Sequence, residues 1–383
     1  MNRRKFLYAG GTILAASTVL SANQFLRTEN GATKRIHPDT FEQPVLKGIA
    51  YGLNAPNPHN TQAWKFKVLS DTELLFYADE TRLLKATDPT TRQIHIGCGC
   101  FLECCKIGMT LDGFITRFEL FPDAKPYKEA SIGQSPIAKI TFEKAKNISP
   151  DPLATLIFKR RTSRLKYSDA PVRSEDFKKI VDLIRPQHSM IELTNTNEKL
   201  NQILPILAEG MSVETYTFRT HEESRKWFRE NDDKIAQNRD GINLAGNGVG
   251  GIKKWIAERQ LKGLEQDKWH SKKLNAYSLN AHNDRVLTSK GVITLKTTEN
   301  DFKDWVNAGI DYMRLQLACQ QYNYYIHPLS QVLQEFEEMK ALRQQFEQAM
   351  NVNGTEKIQM VVRVGKSKEP YLSYRRKPDS LVV

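Results

Sequence analysis

Four stretches of the chain combine residue types that hold ligands. Arg160-Arg161-Thr162-Ser163-Arg164 crowds three guanidinium groups and two hydroxyls into one short run. A guanidinium fork is planar and permanently charged, so this set suits a dianionic phosphate, with Ser163 as a neutral donor. By itself, a basic run is more often a solvated face. A second basic group, Arg375-Arg376-Lys377-Pro378, follows the apolar run Met360-Val361-Val362-Arg363-Val364-Gly365. In Ala55-Pro56-Asn57-Pro58-His59-Asn60-Thr61-Gln62-Ala63-Trp64, prolines stiffen a loop whose amide side chains and backbone offer both donors and acceptors. The fourth stretch, His327-Pro328-Leu329-Ser330-Gln331, reads as a turn.

Other chemistries find no support. Cys98, Cys100, Cys104 and Cys105 cluster, but no pair has C-x-x-C spacing, so buried or weakly reactive thiols are expected there and at Cys319, and no metal. Asp88 and Arg92 read as a structural pair at a helix start. There is no G-x-S-x-G, H-E-x-x-H or Walker A sequence, which removes serine hydrolases, zincins and P-loop NTPases. The glycine-rich run Gly246 to Gly251 follows no convincing strand and reads as a hinge. With 383 residues, 40% hydrophobic and 26% charged, the chain is an ordinary globular protein, and 21 Gly with 16 Pro exclude collagen-like and low-complexity classes. Its net charge of +12 suits an anionic partner without naming one.

These residues need elements to position them. Phe41 to Gly52 has helical spacing and ends at the Pro56–Gln62 loop; Ala63 to Leu69 and Glu73 to Tyr77 alternate as a hairpin. Arg92 to Leu111 is a helix rich in small residues, followed by strands Arg117 to Phe121 and Ala138 to Phe142. A helix is expected to open at Asp151-Pro152. A polar, Trp-containing stretch at about 221–290 reads as an insertion, closed by the strand Val292 to Thr297. A buried helix from Trp305 to Tyr322, the segment Tyr324 to Leu329 and the strand Ile358 to Val364 complete the chain. Setting Gly97 opposite Gly309 aligns the two long helices as a weak internal repeat. At the N-terminus, Met1-Asn2-Arg3-Arg4-Lys5-Phe6-Leu7 precedes a weakly apolar run too short to span a bilayer, the layout of a secretory signal over residues 1–22.

The loop at 55–64 resembles the A-P-S-x-x-N-x-Q-P-W loop of the nitroreductase family of FMN proteins, and is closer to its Acg-like branch through the shared block Pro58-His59-Asn60-Thr61-Gln62. Asn57 and Pro58 stand where Ser-Ser is usual, and Ala63 replaces Pro. Arg160 to Arg164 resembles the family's R-R-x-S-x-R phosphate segment. The terminal strand and basic tail resemble its R-x-G strand and tail, and His327 to Gln331 its S-P-L-S-Q segment beside the flavin. The N-terminal Arg3-Arg4-Lys5-Phe6-Leu7 resembles a twin-arginine (Tat) signal.

The resemblance implies an α+β, nitroreductase-like fold, internally duplicated so that one chain mimics the usual homodimer, with halves at 40–150 and 151–383 and a lid inserted at about 221–290. It implies an FMN site made of Pro56, Asn57, Pro58, Asn60 and Gln62 from one half and Arg160, Arg161, Thr162, Ser163, Arg164, Pro328, Leu329, Ser330, Arg375 and Arg376 from the other. No catalytic residue is assigned. The expected protein is exported through the Tat machinery to the periplasm or beyond, is a monomer with a pseudo-dimeric core, and has no nucleic-acid partner. It would pass electrons from a small-molecule donor through FMN to a nitro compound or quinone-like acceptor. Two alternatives stay open: a non-catalytic protein that stores or sequesters FMN under its lid, and a basic module for an anionic surface.

Overall fold

The computed structural model describes residues 34–263 and 265–383; the Tat-like segment at 1–22 lies outside the described residues. Pro44, whose missing N–H costs nothing at a helix start, opens α1 (Pro44–Gly52). The chain then runs through the 55–64 loop into β1 (Trp64–Ser70), which pairs antiparallel with β2 (Glu73–Ala78), Phe66 facing Phe76. The next helix, α2 (Arg92–Met109), is capped by Asp88, whose carboxylate accepts from the N–H groups of Gln93 and Ile94 at 3.0 Å each. Asp88 is therefore structural, but it caps the helix rather than pairing with Arg92, which donates to the carbonyls of Ile358 and Leu333 in the other half. Strands β3 (Phe114–Leu120) and β4 (Ala138–Lys144) complete a sheet of order β1-β2-β4-β3.

In place of the helix expected at Asp151, only a 3-10 turn, Ala154–Lys159, forms before the Arg160–Arg164 run. The second half continues with α3 (Ser174–Ile184), β5 (Met190–Thr194), α4 (Asn197–Tyr216), α5 (Phe218–Trp227), α6 (Asp232–Asn238), α7 (Gly251–Gln260), α8 (Gln266–Trp269) and α9 (Lys272–Val286). It ends with β6 (Gly291–Thr297), α10 (Phe302–Gln321), β7 (Tyr325–Pro328), α11 (Lys340–Ala349) and β8 (Lys357–Gly365). Its sheet order, β5-β6-β8-β7, repeats that of the first half strand for strand. The main difference is the connection between the first two strands: Asp71 and Thr72 join β1 to β2, whereas α4 to α9 lie between β5 and β6.

The halves meet where α2 crosses α10, and the contact is reciprocal. A Cβ on Gly99 would lie 1.8 Å from the carbonyl oxygen of Val306, and one on Gly309 would lie 2.0 Å from that of Ile96. Each blocking carbonyl sits three residues before the partner glycine, so the two helices are related by a local two-fold. Backbone against backbone at this distance admits no side chain. At this crossing Gly309 is answered by Gly99, two residues on from Gly97, which the sequence sets opposite it. Gly97 faces Asn57 and Pro58 instead and supports the 55–64 loop. The C-terminal tail crosses to the first half, where Val382 bridges Phe66 and the Val383 N–H donates to the Phe66 carbonyl at 2.9 Å. Among the described residues, no helix is long and apolar enough to cross a membrane.

Candidate functional site

The loop after α1 is held in a costly conformation. His59, Asn60 and Gln62 have φ of 48°, 53° and 49°, a left-handed region that non-glycine residues seldom occupy. Such strain persists only where the surroundings over-determine it, and it concentrates at functional loops. Here the Asn57 side chain accepts from the Gln62 N–H at 2.8 Å, and the Asn60 oxygen takes a guanidinium N–H of Arg375 at 2.9 Å. The inserted helices close over the loop: Gln62 Nε2 donates to the Arg239 carbonyl at 2.9 Å, the Gly241 N–H donates to the Asn60 carbonyl at 3.1 Å, and Arg82 pairs with Asp240. The side-chain amides of Asn60 and Gln62 thus serve the loop and its cover, so a ligand edge here would meet mainly backbone.

Of the arginines expected to share one task, Arg160 and Arg375 fall into one group, Arg164 into another, and Arg161 and Arg376 stand apart. Arg160 and Arg375 are buried and spend their donors on the protein. Arg160 Nε donates to the Asn54 carbonyl at 2.8 Å and Nη1 to Gln316 Oε1 at 2.8 Å; Arg375 donates to the carbonyls of Leu53 and Ala55 at 2.6 and 3.2 Å. Arg35 joins them, bonding Asn54 Oδ1 and the Arg160 carbonyl. These three pin the start of the loop. Burial holds the Arg375 guanidinium down at about 9, with Arg160 adding to the shift. Arg376 sits on Gln62 through the Gln62 Oε1 contact to its N–H at 2.7 Å, while Arg161 pairs with Glu369 at 2.8 Å and leaves Nε buried without a partner. The two share no hydrogen-bond partner.

Arg164 belongs to the second group, with Arg285 from α9 and Arg363 from β8. Arg363 Nε donates to His327 Nδ1 at 3.1 Å, its terminal nitrogens reach the carbonyls of Arg285 and Leu165 at 2.5 and 2.7 Å, and its plane stacks 4.3 Å over the Tyr167 ring. Arg164 and Arg285 use Nη1 on the carbonyls of Gly246 and Asn247. No carboxylate pairs with any of the three among the described residues. The nearby imidazoles stay neutral: burial first, then these arginines, holds His282 near 3 and His327 well below the usual range. His59 is held at about 4 by burial and by Arg164, which ties the strained loop to this basic cluster.

A buried polar chain links the loop to the insertion on another side. His59 Nε2 lies 2.9 Å from Ser224 Oγ, which donates to Glu214 Oε1 at 3.3 Å; Gln334 Nε2 donates to Glu214 Oε2 at 2.8 Å. With no cation beside it, the Glu214 carboxyl is raised by burial to about 7. Cys104 lies beside the Arg35, Arg160 and Arg375 group. All five cysteines are free and buried, and burial raises every thiol.

The model of the nitroreductase family matches residues 157–366, more than half the chain. This chain belongs to the nitroreductase family. Two Mycobacterium tuberculosis proteins that bear the name "Putative NAD(P)H nitroreductase", Rv3131 and acg, are 32% and 30% identical to it over 135 and 137 residues. The aligned segments are 35% of this chain in both cases and 37% and 39% of theirs, so the chain spans well under half the length of these relatives. Among solved structures, the FMN-dependent nitroreductase NfnB of Mycobacterium smegmatis in complex with NADPH is 14% identical, covering 56% of this chain and 88% of that one, with a TM-score of 0.34. The FMN and NADPH-dependent NfnB of sphigopyxis sp. strain HMH is 12% identical, covering 60% and 97%, with a TM-score of 0.38.

Within this nitroreductase-family chain, the structure brings Arg164, His59 and the His327–Pro328 end of β7 together, and puts Asn57, Asn60, Gln62, Arg375 and Arg376 in one neighbouring network. Pro56 and Pro58 frame the loop; Thr162 lies 3.5 Å from Arg160, Ser163 Oγ bonds Ser367 at 2.9 Å, and Leu329 spends its N–H on the Val361 carbonyl at 2.9 Å. Ser330 Oγ lies 3.7 Å from Met360 Sδ. Sequence reasoning assigns no role to Arg285, His282, Arg363, Glu214 or Ser224. Of these, only Arg363 leaves a signal, a charge inside an apolar strand, which is costly unless something nearby needs it.

Proposed function

We propose that this chain is an exported FMN-binding oxidoreductase with one composite flavin site, built by two diverged halves that imitate a dimer. The observation that carries the reading is convergence: the strained loop of the first half meets Arg164, the end of β7 and the insertion of the second half at a basic cluster with no carboxylate. The donor chemistry fits an anionic cofactor. Nε and Nη2 of Arg164 and of Arg285 donate to nothing among the described residues, and Arg161 Nε and His282 Nε2 are buried without partners. FMN supplies two-electron chemistry at its ring when bound. The matching strand orders and the Gly99–Gly309 crossing support duplication. The names of the relatives and of the structural neighbours suggest a nicotinamide donor.

On this reading the chain's own residues act electrostatically. Arg164 and its neighbours stabilise negative charge that grows on reduction, the neutral His59 and His327 supply polar contacts without proton exchange near neutral pH, and the insertion excludes water. A second reading, in which the protein holds FMN without turnover, is favoured by the bonds that fasten the insertion to Asn60 and Gln62. Mixing the FMN-loaded protein with NADPH or NADH under anaerobic conditions separates them. Bleaching of the flavin band supports the oxidoreductase; a band that no nicotinamide donor bleaches supports storage.

A further inference from the structure

The basic cluster presents more cation than its protein surroundings can use. Arg164 lies on the segment after the 3-10 turn, Arg363 on β8, Arg285 and His282 on α9, and His327 on β7, so four separate elements deliver basic groups to one place, where Arg363 and His327 are buried and Arg164, Arg285 and His282 half-buried. Like charges brought together out of water repel, and isolated buried ions are avoided unless paired. Arg363 is satisfied by carbonyls and by His327. The others are not: Arg164 and Arg285 each keep Nε and Nη2 unspent, and His282 Nε2 is shut away from water with no acceptor. The acid nearest in sequence, Asp284, is exposed and turned to Lys166 at 3.1 Å.

The unspent donors share a chemistry. Two guanidinium edges and an imidazole nitrogen, backed by a third arginine, match the several oxygens of a single oxyanion. We infer that Arg164, Arg285 and His282, supported by Arg363 and His327, form an oxyanion-binding site that the α9 segment of the insertion completes. The oxyanion is either the phosphate of the cofactor or the acid group of a small-molecule acceptor, and in both cases Arg285 and His282, which have no counterpart between β1 and β2, make its binding depend on the insertion. The inference rests on the flavin reading only for the first of these sources.

Titration calorimetry on the full chain tests it, with sodium phosphate and sodium benzoate as probes, before and after loading with FMN, alongside FMN and riboflavin affinities. Arg285→Gln and Arg285→Lys are the variants, because Arg285 is only half-buried and its loss spares the fold; circular dichroism checks this. Arg285→Gln weakens the oxyanion at least tenfold, the usual size for a charge-assisted bond, and Arg285→Lys recovers part of the loss. If FMN loading abolishes phosphate binding and Arg285→Gln weakens FMN but not riboflavin, the oxyanion is the cofactor's phosphate. If benzoate still binds the FMN-loaded protein and loses affinity in Arg285→Gln, it is the acid group of a second ligand. Oxyanion binding by a protein that takes up no FMN sinks the flavin reading and keeps the site. FMN binding with phosphate and benzoate affinities identical in wild type and Arg285→Gln, and with FMN affinity unchanged, overturns the site and keeps the flavin.

Discussion

Replacing Glu214 by Gln isolates the buried carboxyl that joins α4 to the His59 loop. Glu214 is buried, accepts from Ser224 Oγ and Gln334 Nε2, feels the charge of Glu223, and has no cation to balance its own. Its carboxyl therefore holds its proton up to about 7, against an ordinary 4.5. Between these two values the folded chain carries a proton that the unfolded chain has released. Stability thus falls as pH rises from about 4.5 to about 7, and the loss is complete above 7. At about 1.36 kcal/mol per pH unit, a window from 4.5 to about 7 amounts to about 3 kcal/mol. Glutamine copies the protonated acid in shape and keeps an acceptor for one neighbour. Urea unfolding at fixed pH is the assay: the variant matches wild type at pH 4.5 and gains about 3 kcal/mol over it by pH 8, with the rise confined to that window. His59 titrates in both proteins and cancels in the difference. A flat difference curve, or a variant less stable than wild type at pH 8, refutes the assignment of an uncompensated buried carboxyl.

Gly99→Ala and Gly309→Ala each drive a methyl onto a backbone carbonyl and lower stability by at least 1–3 kcal/mol, while Gly97→Ala, whose Cβ has 3.3 Å to Asn57, costs far less; equal stabilities for all three by denaturant melts would contradict the two-fold crossing. Arg375→Met strips donors from the carbonyls of Leu53 and Ala55 and lowers the stability of the flavin-free chain by about 2–4 kcal/mol, whereas a residue that only contacts phosphate would leave flavin-free stability unmoved. In native protein at pH 8, the five cysteines resist a thiol-specific disulfide reagent, and all react once urea unfolds the chain; fast reaction of any one in the native state would place it at the surface.

Much of this arrangement is legible in the residues. The β1–β2 hairpin, both long helices and the last strand follow from periodicities of 2 and 3.6, because each buries one face or stripe against the core. The 55–64 loop is marked by its prolines and amides, and its strain explains why so much of the surrounding structure is devoted to holding it. What the residues conceal is how guanidinium groups are spent. Arg160 and Arg164 lie four positions apart in one basic run, yet the first is consumed by Asn54 and Gln316 while the second faces the strained loop. No local pattern distinguishes them, since the choice depends on which carbonyls the α1 end leaves unpaired. Arg285 and His282 are invisible for a related reason: they gain meaning only when α9 folds back on β8. The two-residue offset between Gly97 and Gly99 is similar, because side-chain identity aligns one glycine and the close approach of backbones requires the other. The helix expected at Asp151 shortens to a 3-10 turn, too brief to repay helix nucleation.

The central claim, that two halves of one chain assemble a single FMN site, is tested most directly by the absorbance spectrum of the full chain isolated from its own compartment, followed by analysis of what denaturation releases. The account predicts a yellow protein with the bands of an oxidised flavin that releases one FMN per chain. A colourless protein that also fails to bind added FMN would contradict it.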